Sequence, residues 1–401
     1  MPASLRPGGS RVQRAGEVAV SRLAVDRLEI AGLRSWPRLA LETGGAPVAL
    51  WGPNGSGKTN LLEAVSMLVP GRGLRRAGAE ALIRLPERRG WRVRANVATP
   101  GGTLEVMTGV DDPESPRRRV EIDGKPAPQT ALGRHVRLVW LTPAMDRLWT
   151  GPAADRRALL DRIALGFEPE HGDAAQAYEK AMRQRNRLLA DGRADPAWLD
   201  ALEAEMARRG ARIARARAGA VARLAEAAEA RTGAGPVFPR PELSLAGPLE
   251  QAFARGLRDG ADGDAAEAAE AACLARALAE GRRRDAEAGR AIEGPHRSDL
   301  EARYAAKDMP ARLCSTGEQK ALLIALCLAN ARALADATGA APILLLDEVA
   351  AHLDDARRRA LFAEIAALDA QGGMTATEPW LFDCLEGARA FRVAEEDGAS
   401  R

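Results

Sequence analysis

The chain has 401 residues, 46% of them apolar, enough for a sizeable core and roughly two or three domains. With 58 basic against 55 acidic residues the net charge is only +3, so overall charge names no partner and any nucleic-acid surface has to be found locally. Four scattered cysteines (Cys273, Cys314, Cys327, Cys384) form no CxxC and pair with no histidine, which argues against a disulfide or zinc framework and for a reducing, cytoplasmic setting.

Residues 1–20 carry charge but no apolar stretch, so they do not read as a secretory signal; a disordered tail is expected there. No apolar run reaches the roughly 18–20 residues of a membrane span. LAVDRLEIAGL (23–33) alternates as a strand does, and PVALWG (47–52) reads as a second, buried strand. NLLEAVSMLV (60–69) follows as a helix. Residues 91–110 and 117–123 alternate around Gly and Pro turns, as antiparallel strands do, and VRLVWLTP (136–143) is another apolar strand.

After Pro143 the composition turns to Ala, Arg and Glu with no strand pattern through 232. Residues 197–232 make one long helical pattern with Leu199, Met206 and Ile213 at seven-residue steps. The second seam, Leu202 followed by Arg209, Ala216 and Arg223, is broken, so a helical hairpin arm of about 50 Å is expected rather than a long coiled coil. Residues 233–248 are Pro- and Gly-rich and read as a crossing segment, and 264–289 return to helix. The expected layout is an α/β lobe built from 21–142 and 291–401, with a helical lobe, 143–290, inserted between its halves.

Residues 52–59, GPNGSGKT, fit G-x-x-x-x-G-K-[ST] between a buried strand and a helix, the context that motif requires. Gly52, Pro53, Asn54, Gly55, Ser56 and Gly57 let the backbone curl so that its amides face phosphate oxygens at a helix N-terminus. Lys58 is expected to reach the β- and γ-phosphates of ATP, Thr59 to ligate Mg²⁺, and Asn60 to complete the nucleotide-binding segment. ILLLDE (343–348) is an apolar run ending in two carboxylates, the pattern of a buried parallel strand. Asp347 is expected to bind Mg²⁺, and Glu348 to polarise the attacking water as general base. STGEQ (315–319) opens a long apolar helix, and Ser315 with Glu318 forms an S-x-x-E capping box.

STGEQ ahead of ILLLDE resembles the signature motif of ABC-type ATPases, in which a serine hydroxyl and a glycine amide meet the γ-phosphate held by a partner subunit. That resemblance implies trans roles for Ser315 and Gly317 and places Leu353-Asp354 in the loop crossing the dimer interface. A closer resemblance covers nearly all of the chain from residue 21. GPNGSGKTNLLEA (52–64), LTPAMDRL (141–148), GPAADRRALLDR (151–162), RDAEAGRAIEGPHRSDL (284–300), STGEQKALLIALCLA (315–329) and LLLDEVAAHLDD (344–355) occur in the order and spacing of the RecF family. GPHRSD beside STGEQK is the most family-specific element. The resemblance implies a P-loop ABC-type ATPase head, a mixed sheet with flanking helices, plus an inserted α-helical lobe. It implies an ATP-dependent homodimer that binds duplex DNA near single-strand gaps, and RecO/RecR-type mediators that help load RecA.

Two positions depart from the ABC pattern. LTPAMDRL offers no glutamine after its strand, and MTATEPWLF (374–382) has Thr375 and Thr377 where a switch histidine would stand, with Thr377 the candidate for the γ-phosphate. His296 and His352 lie in motif segments, where a lone histidine most often serves structure. For DNA, residues 72–94 carry eight arginines against Glu80 and Glu87, and Arg72, Arg75, Arg76, Arg89 and Arg92 are the nominated contacts. Residues 208–217, with five arginines and no acid, are a second candidate. No aromatic platform interleaves with them, which favours duplex backbone over single-strand stacking. Two rival readings stand beside this one: a soluble ABC-type subunit coupled to a membrane partner, and a module that uses nucleotide only as a dimer latch.

Overall fold

The computed structural model describes residues 22–394 except 88, 115–116, 193–194 and 230–236. The expected tail, Arg88 and the side chain of His352 lie outside the described residues. In chain order, β1 (Ala24–Leu33) and β2 (Trp36–Glu42) form a hairpin, and β3 (Val48–Trp51) leads into α1 (Lys58–Ser66). Then come β4 (Trp91–Thr99), β5 (Gly102–Val110), β6 (Arg119–Ile122), the two-residue β7 (Lys125–Pro126), a short α2 (Leu132–His135) and β8 (Leu138–Leu141). The helical stretch is α3 (Ala153–Phe167), α4 (His171–Asp191) and α5 (Pro196–Glu229); β9 (Pro241–Ala246), α6 (Pro248–Arg258), α7 (Gly263–Glu280) and α8 (Arg282–Ala288) follow. The last part is β10 (Asp299–Tyr304), β11 (Met309–Pro310), α9 (Thr316–Thr338), β12 (Ile343–Leu346), α10 (Asp355–Ala367), β13 (Gly372–Ala376) and β14 (Arg389–Arg392).

Three sheets result. One is antiparallel in the order β2-β1-β4-β5-β6-β7, and one is parallel in the order β14-β3-β13-β12-β8. The third is a small sheet, β11-β10-β9. In the parallel sheet β12 is buried at all four positions, as a strand covered on both faces must be. One apolar cluster fills the space between this sheet, α1 and the antiparallel sheet. A second joins the sheet's other face to α3, α5 and α9. Helix α9 is long and apolar enough to cross a membrane, contrary to the sequence expectation that no run is, yet it sits in that second cluster with Leu322, Leu326 and Leu328 buried. Each fully buried leucine there contributes ~1.5–3 kcal/mol relative to exposure.

Three expectations change. Trp36 begins a second strand rather than ending the first, and with residues 37–42, unassigned from sequence, it pairs with β1 to extend the antiparallel sheet. Part of the expected crossing segment is β9, which pairs with β10 over six positions; its short PELSLA pattern between prolines hides a partner more than fifty residues on. The long helix is not a projecting arm. Leu199, Met206 and Ile213 are buried as their spacing predicts, but so are Ala207, Ala211, Ala214 and Ala218, because small side chains let α4, α6 and α7 close on it from several sides.

The helical part is also pinned by buried charge. Arg185 is fully buried; its Nε donates to Glu203 at 2.9 Å, one Nη to Asp285 at 2.7 Å and the other to the Leu278 carbonyl at 2.7 Å. Removing one partner of such a node leaves uncompensated charge in low dielectric. Arg185→Ala is expected to lower stability by ~3–5 kcal/mol in chemical denaturation. Arg183→Ala, which breaks an exposed i,i+4 pair with Glu179, should change it by less than about 0.5 kcal/mol.

Candidate active site

Four parallel strands bring their carboxyl ends to one edge, where ligands bind in sheets of this kind. The β3 end carries 52–57, the β12 end Asp347 and Glu348, the β13 end Thr375 to Thr377, and the β8 end Thr142. Gly52 and Gly57 have positive φ (149° and 96°), and a Cβ would lie 2.0 Å from the Val393 carbonyl oxygen at the first and 2.6 Å from Ser35 Oγ at the second. Only glycine fits this curl. Gly57 is the N-cap of α1 and offers no side-chain cap, so the helix's first amides stay open toward the loop's concavity. Ser56 Oγ is buried and has no hydrogen-bond partner. A bare helix N-terminus beside an orphaned hydroxyl suits a polyanion.

Lys58 is buried, and its Nζ donates to the carbonyl oxygens of Gly52 and Pro53 at 2.8 and 2.7 Å, folded over the loop it would share with a phosphate. Burial lowers its pKa, opposed by Glu348 and Asp347. Thr59 Oγ1 donates to Asp347 Oδ1 at 2.8 Å across 288 residues. Thr375 Oγ1 donates to the same oxygen at 2.8 Å and accepts the Glu348 amide at 2.9 Å. Glu348 has φ 54°, a left-handed conformation costing ~1–2 kcal/mol for a residue with a Cβ.

Asn60 Nδ2 donates to Ser35 Oγ at 2.8 Å, and Asn60 Oδ1 accepts from Arg75 at 2.8 Å. The next turn of α1 holds Glu63, fully buried, which Arg34 clamps with two bonds of 2.9 and 3.0 Å and Arg75 approaches at 3.4 Å. Arg34 and Glu63 escaped sequence reading, although Glu63 stands out as the one acid on an apolar helix. Gln319, on α9, lines the same cavity of about 1330 Å³ as Thr59 and Asp347, a second omission.

The signature elements lie at α9. Ser315 caps it: Glu318 N–H bonds to Ser315 Oγ at 3.4 Å, and the Glu318 carboxylate accepts from the Ser315 amide at 2.8 Å and its hydroxyl at 2.9 Å. Lys307 pairs with the same carboxylate. At Gly317 an added Cβ would meet nothing within 4 Å, and φ is not positive, so the fold itself gives no reason for glycine there. Thr316 borders the cavity shared with Thr59; Ser315 and Gly317 do not. Asp354 caps α10, accepting from Arg357 N–H at 2.8 Å with its side chain exposed. Thr377 is half-buried and has no side-chain hydrogen bond among the described residues, whereas Thr375, two residues earlier in the same turn, bonds Asp347. His296 is a strut: burial lowers its pKa, Nε2 donates to the Ala291 carbonyl at 3.0 Å, and Nδ1 accepts from the Tyr178 hydroxyl at 2.8 Å.

The nominated arginines divide between two surfaces. Arg72, Arg75 and Arg76 line the cavity with Thr59 and Asp347, and Arg76 pairs with Asp155 at 3.3 Å. Arg89 and Arg92 line a separate groove with Arg38 and Phe391, where Arg92 pairs with Asp111 at 3.3 Å. Four of the five arginines in 208–217 are held in ion pairs, and the exposed Arg212 has none among the described residues. Arg208 and Arg209 pair with Glu205, and Arg215 with Asp264 and Glu267. Arg217 is buried between Asp161 and Glu250 at 2.8 Å each.

The family described as RecF/RecN/SMC N terminal domain matches residues 24–378. The chain is 48% identical over 379 residues to a DNA replication and repair protein RecF of Rhizobium meliloti (strain 1021), covering 94% of this chain and 98% of that one. It is 47% identical over 373 residues to the protein of the same name from Mesorhizobium japonicum, covering 92% and 96%. A solved structure described as the recombination mediator protein RecF-ATPrS in the RecFOR pathway superposes with TM-score 0.78 at 20% identity, covering 93% and 97%.

The capping carboxylate yields a prediction. Lys307 first, and Ser315 second, hold the Glu318 pKa down at about 2. A depressed carboxylate stabilises the fold above its ordinary pKa near 4.5 and loses that contribution as pH falls toward 2. Carboxyl NMR titration should give a midpoint near 2, and Lys307→Met should raise it toward the ordinary value.

Proposed function

This chain belongs to the RecF family of DNA replication and repair proteins, and from that premise we propose that it is a cytoplasmic ATPase working as an ATP-gated dimeric clamp on DNA. The observation that carries the reading is the bond from Thr59 to Asp347, which sets the phosphate loop against the strand-end carboxylates. The rival reading as a transporter subunit has no comparable support, since relatives matching over nine-tenths of the chain bear a repair protein's name.

The residues present fit Mg²⁺ with ATP: Thr59 and Asp347 offer hard oxygens, and among the described residues no cluster of His, Cys, Asp and Glu could hold a metal unaided, so phosphate oxygens would complete the shell. Bound there, the cation would offset charge on the β- and γ-phosphates. Lys58 swings from the loop carbonyls to those phosphates, and the α1 amides and Ser56 hold the rest. Glu348 accepts a proton from water as its oxygen bonds the γ-phosphorus. The bond from that phosphorus to the bridging oxygen breaks, and ADP leaves with that oxygen.

Ser315 and Gly317 meet the γ-phosphate bound by a second copy, so nucleotide joins two subunits and hydrolysis releases them. This part is supported by open space at Gly317 in a helix start that needs no glycine. Arg72 and Arg89, which have no ion pair among the described residues, are the freest of the nominated cations for duplex backbone near gaps. RecO/RecR-type mediators and RecA are the partners implied by family.

Gly317→Ala separates fold from function. It should leave thermal stability unchanged or raise it by about 0.5–1 kcal/mol. Sedimentation with ATP should show that it no longer dimerises. A variant dimerising like the parent would contradict the trans role.

A further inference from the structure

We infer that Thr375 is a positioning residue for hydrolysis: its one hydroxyl sets the aim of both carboxylates that follow β12. The inference rests on the hydrolytic reading of the site. Thr375 is 1% exposed, so water does not compete for its bonds. The direction of those bonds is fixed by chemistry. The Glu348 amide can only donate, so Thr375 Oγ1 accepts it, at 2.9 Å. The hydroxyl proton is then free for Asp347 Oδ1, at 2.8 Å.

The place of this bond matters as much as its length. The ladder between β12 and β13 ends with Leu346 opposite Met374. Beyond it the backbone turns out of the sheet, with Glu348 at φ 54°. Where the next ladder bond would fall, the Thr375 side chain supplies one, and it holds the Glu348 amide in an unfavourable conformation. On the other side, Asp347 Oδ1 accepts from Thr59 as well. If Thr59 turns to a cation and phosphate, Thr375 is the hydroxyl left on that oxygen, and it stops the carboxylate from rotating as Thr59 leaves. Thr377, two residues on, makes no such bond. Buried and bonded to both, Thr375 acts through Asp347 and Glu348.

The test compares three variants of the full chain. Thr375→Val keeps the shape and removes the hydroxyl. It should lower kcat about 10–100-fold, the scale found when a ligand's supporting bond is removed. KM for ATP, and binding of a fluorescent ATP analogue, should stay within about threefold. Thr375→Ser should recover most of the rate. Thr375→Val turning over at the parent rate overturns the inference, and so does a lower melting temperature and weaker binding with kcat unchanged. Should the valine variant not fold, the serine variant decides: recovery supports the role, and a loss of 10-fold or more, about the same scale, overturns it. Glu348→Gln run in parallel keeps the two readings apart. If it still hydrolyses ATP at the parent rate, the hydrolytic reading fails whatever Thr375 does; if it is dead while Thr375→Val is normal, only the inference fails.

Discussion

The register between β12 and β13 is the constraint from which the site follows. Leu346 lies opposite Met374, which sets Asp347 beside Thr375, while Met374, Thr375 and Ala376 face Ala49, Leu50 and Trp51 of β3 on the other side. Two ends of the chain thereby meet at one sheet edge. A slip of one residue would turn Thr375 to the opposite face and leave Asp347 with Thr59 alone. Burial guards against that slip: every residue of β12 and β13 is inside, so a shifted register would have to repack the side chains of both covered faces.

Much of this was legible because it is local. The glycine loop between strand and helix, the carboxylates ending an apolar run, and the S-x-x-E helix start each carry their physics within a dozen residues. What escaped depends on distant partners. Thr375 looks no different from Thr377 until the sheet places it beside Asp347. Arg34 and Glu63 become a pair only when the β1–β2 hairpin crosses α1. The 208–217 arginines read as a cationic face because the acids that pair four of them are Asp161, Glu250, Asp264 and Glu267 from elsewhere in the chain and Glu205 from the preceding turn. Strand β9 could not declare itself without β10.

GPHRSD shows how a family-specific segment can serve architecture. Gly294, at φ 130°, lets the Tyr178 hydroxyl come within 2.2 Å of where a Cβ would be. His296 props Tyr178, Ser298 and the Pro295 carbonyl receive Arg217, and Asp299 binds Arg156 at 2.7 Å. Those partners sit on α3, α4 and α5. The segment therefore ties three helices to the start of β10, whose sheet leads into the capped end of α9. A shift of the helical part would reach Ser315 and Gly317 through that joint.

The central claim is that the catalytic unit is two copies of this chain, each supplying what the other lacks. The most direct measurement is ATP hydrolysis per subunit against protein concentration, with and without gapped duplex DNA, at two salt concentrations. Composite sites predict a rate per subunit that rises with concentration and shifts with DNA in a salt-sensitive way. A rate flat in concentration and blind to DNA would contradict the account and leave the α9 start as a helix cap alone.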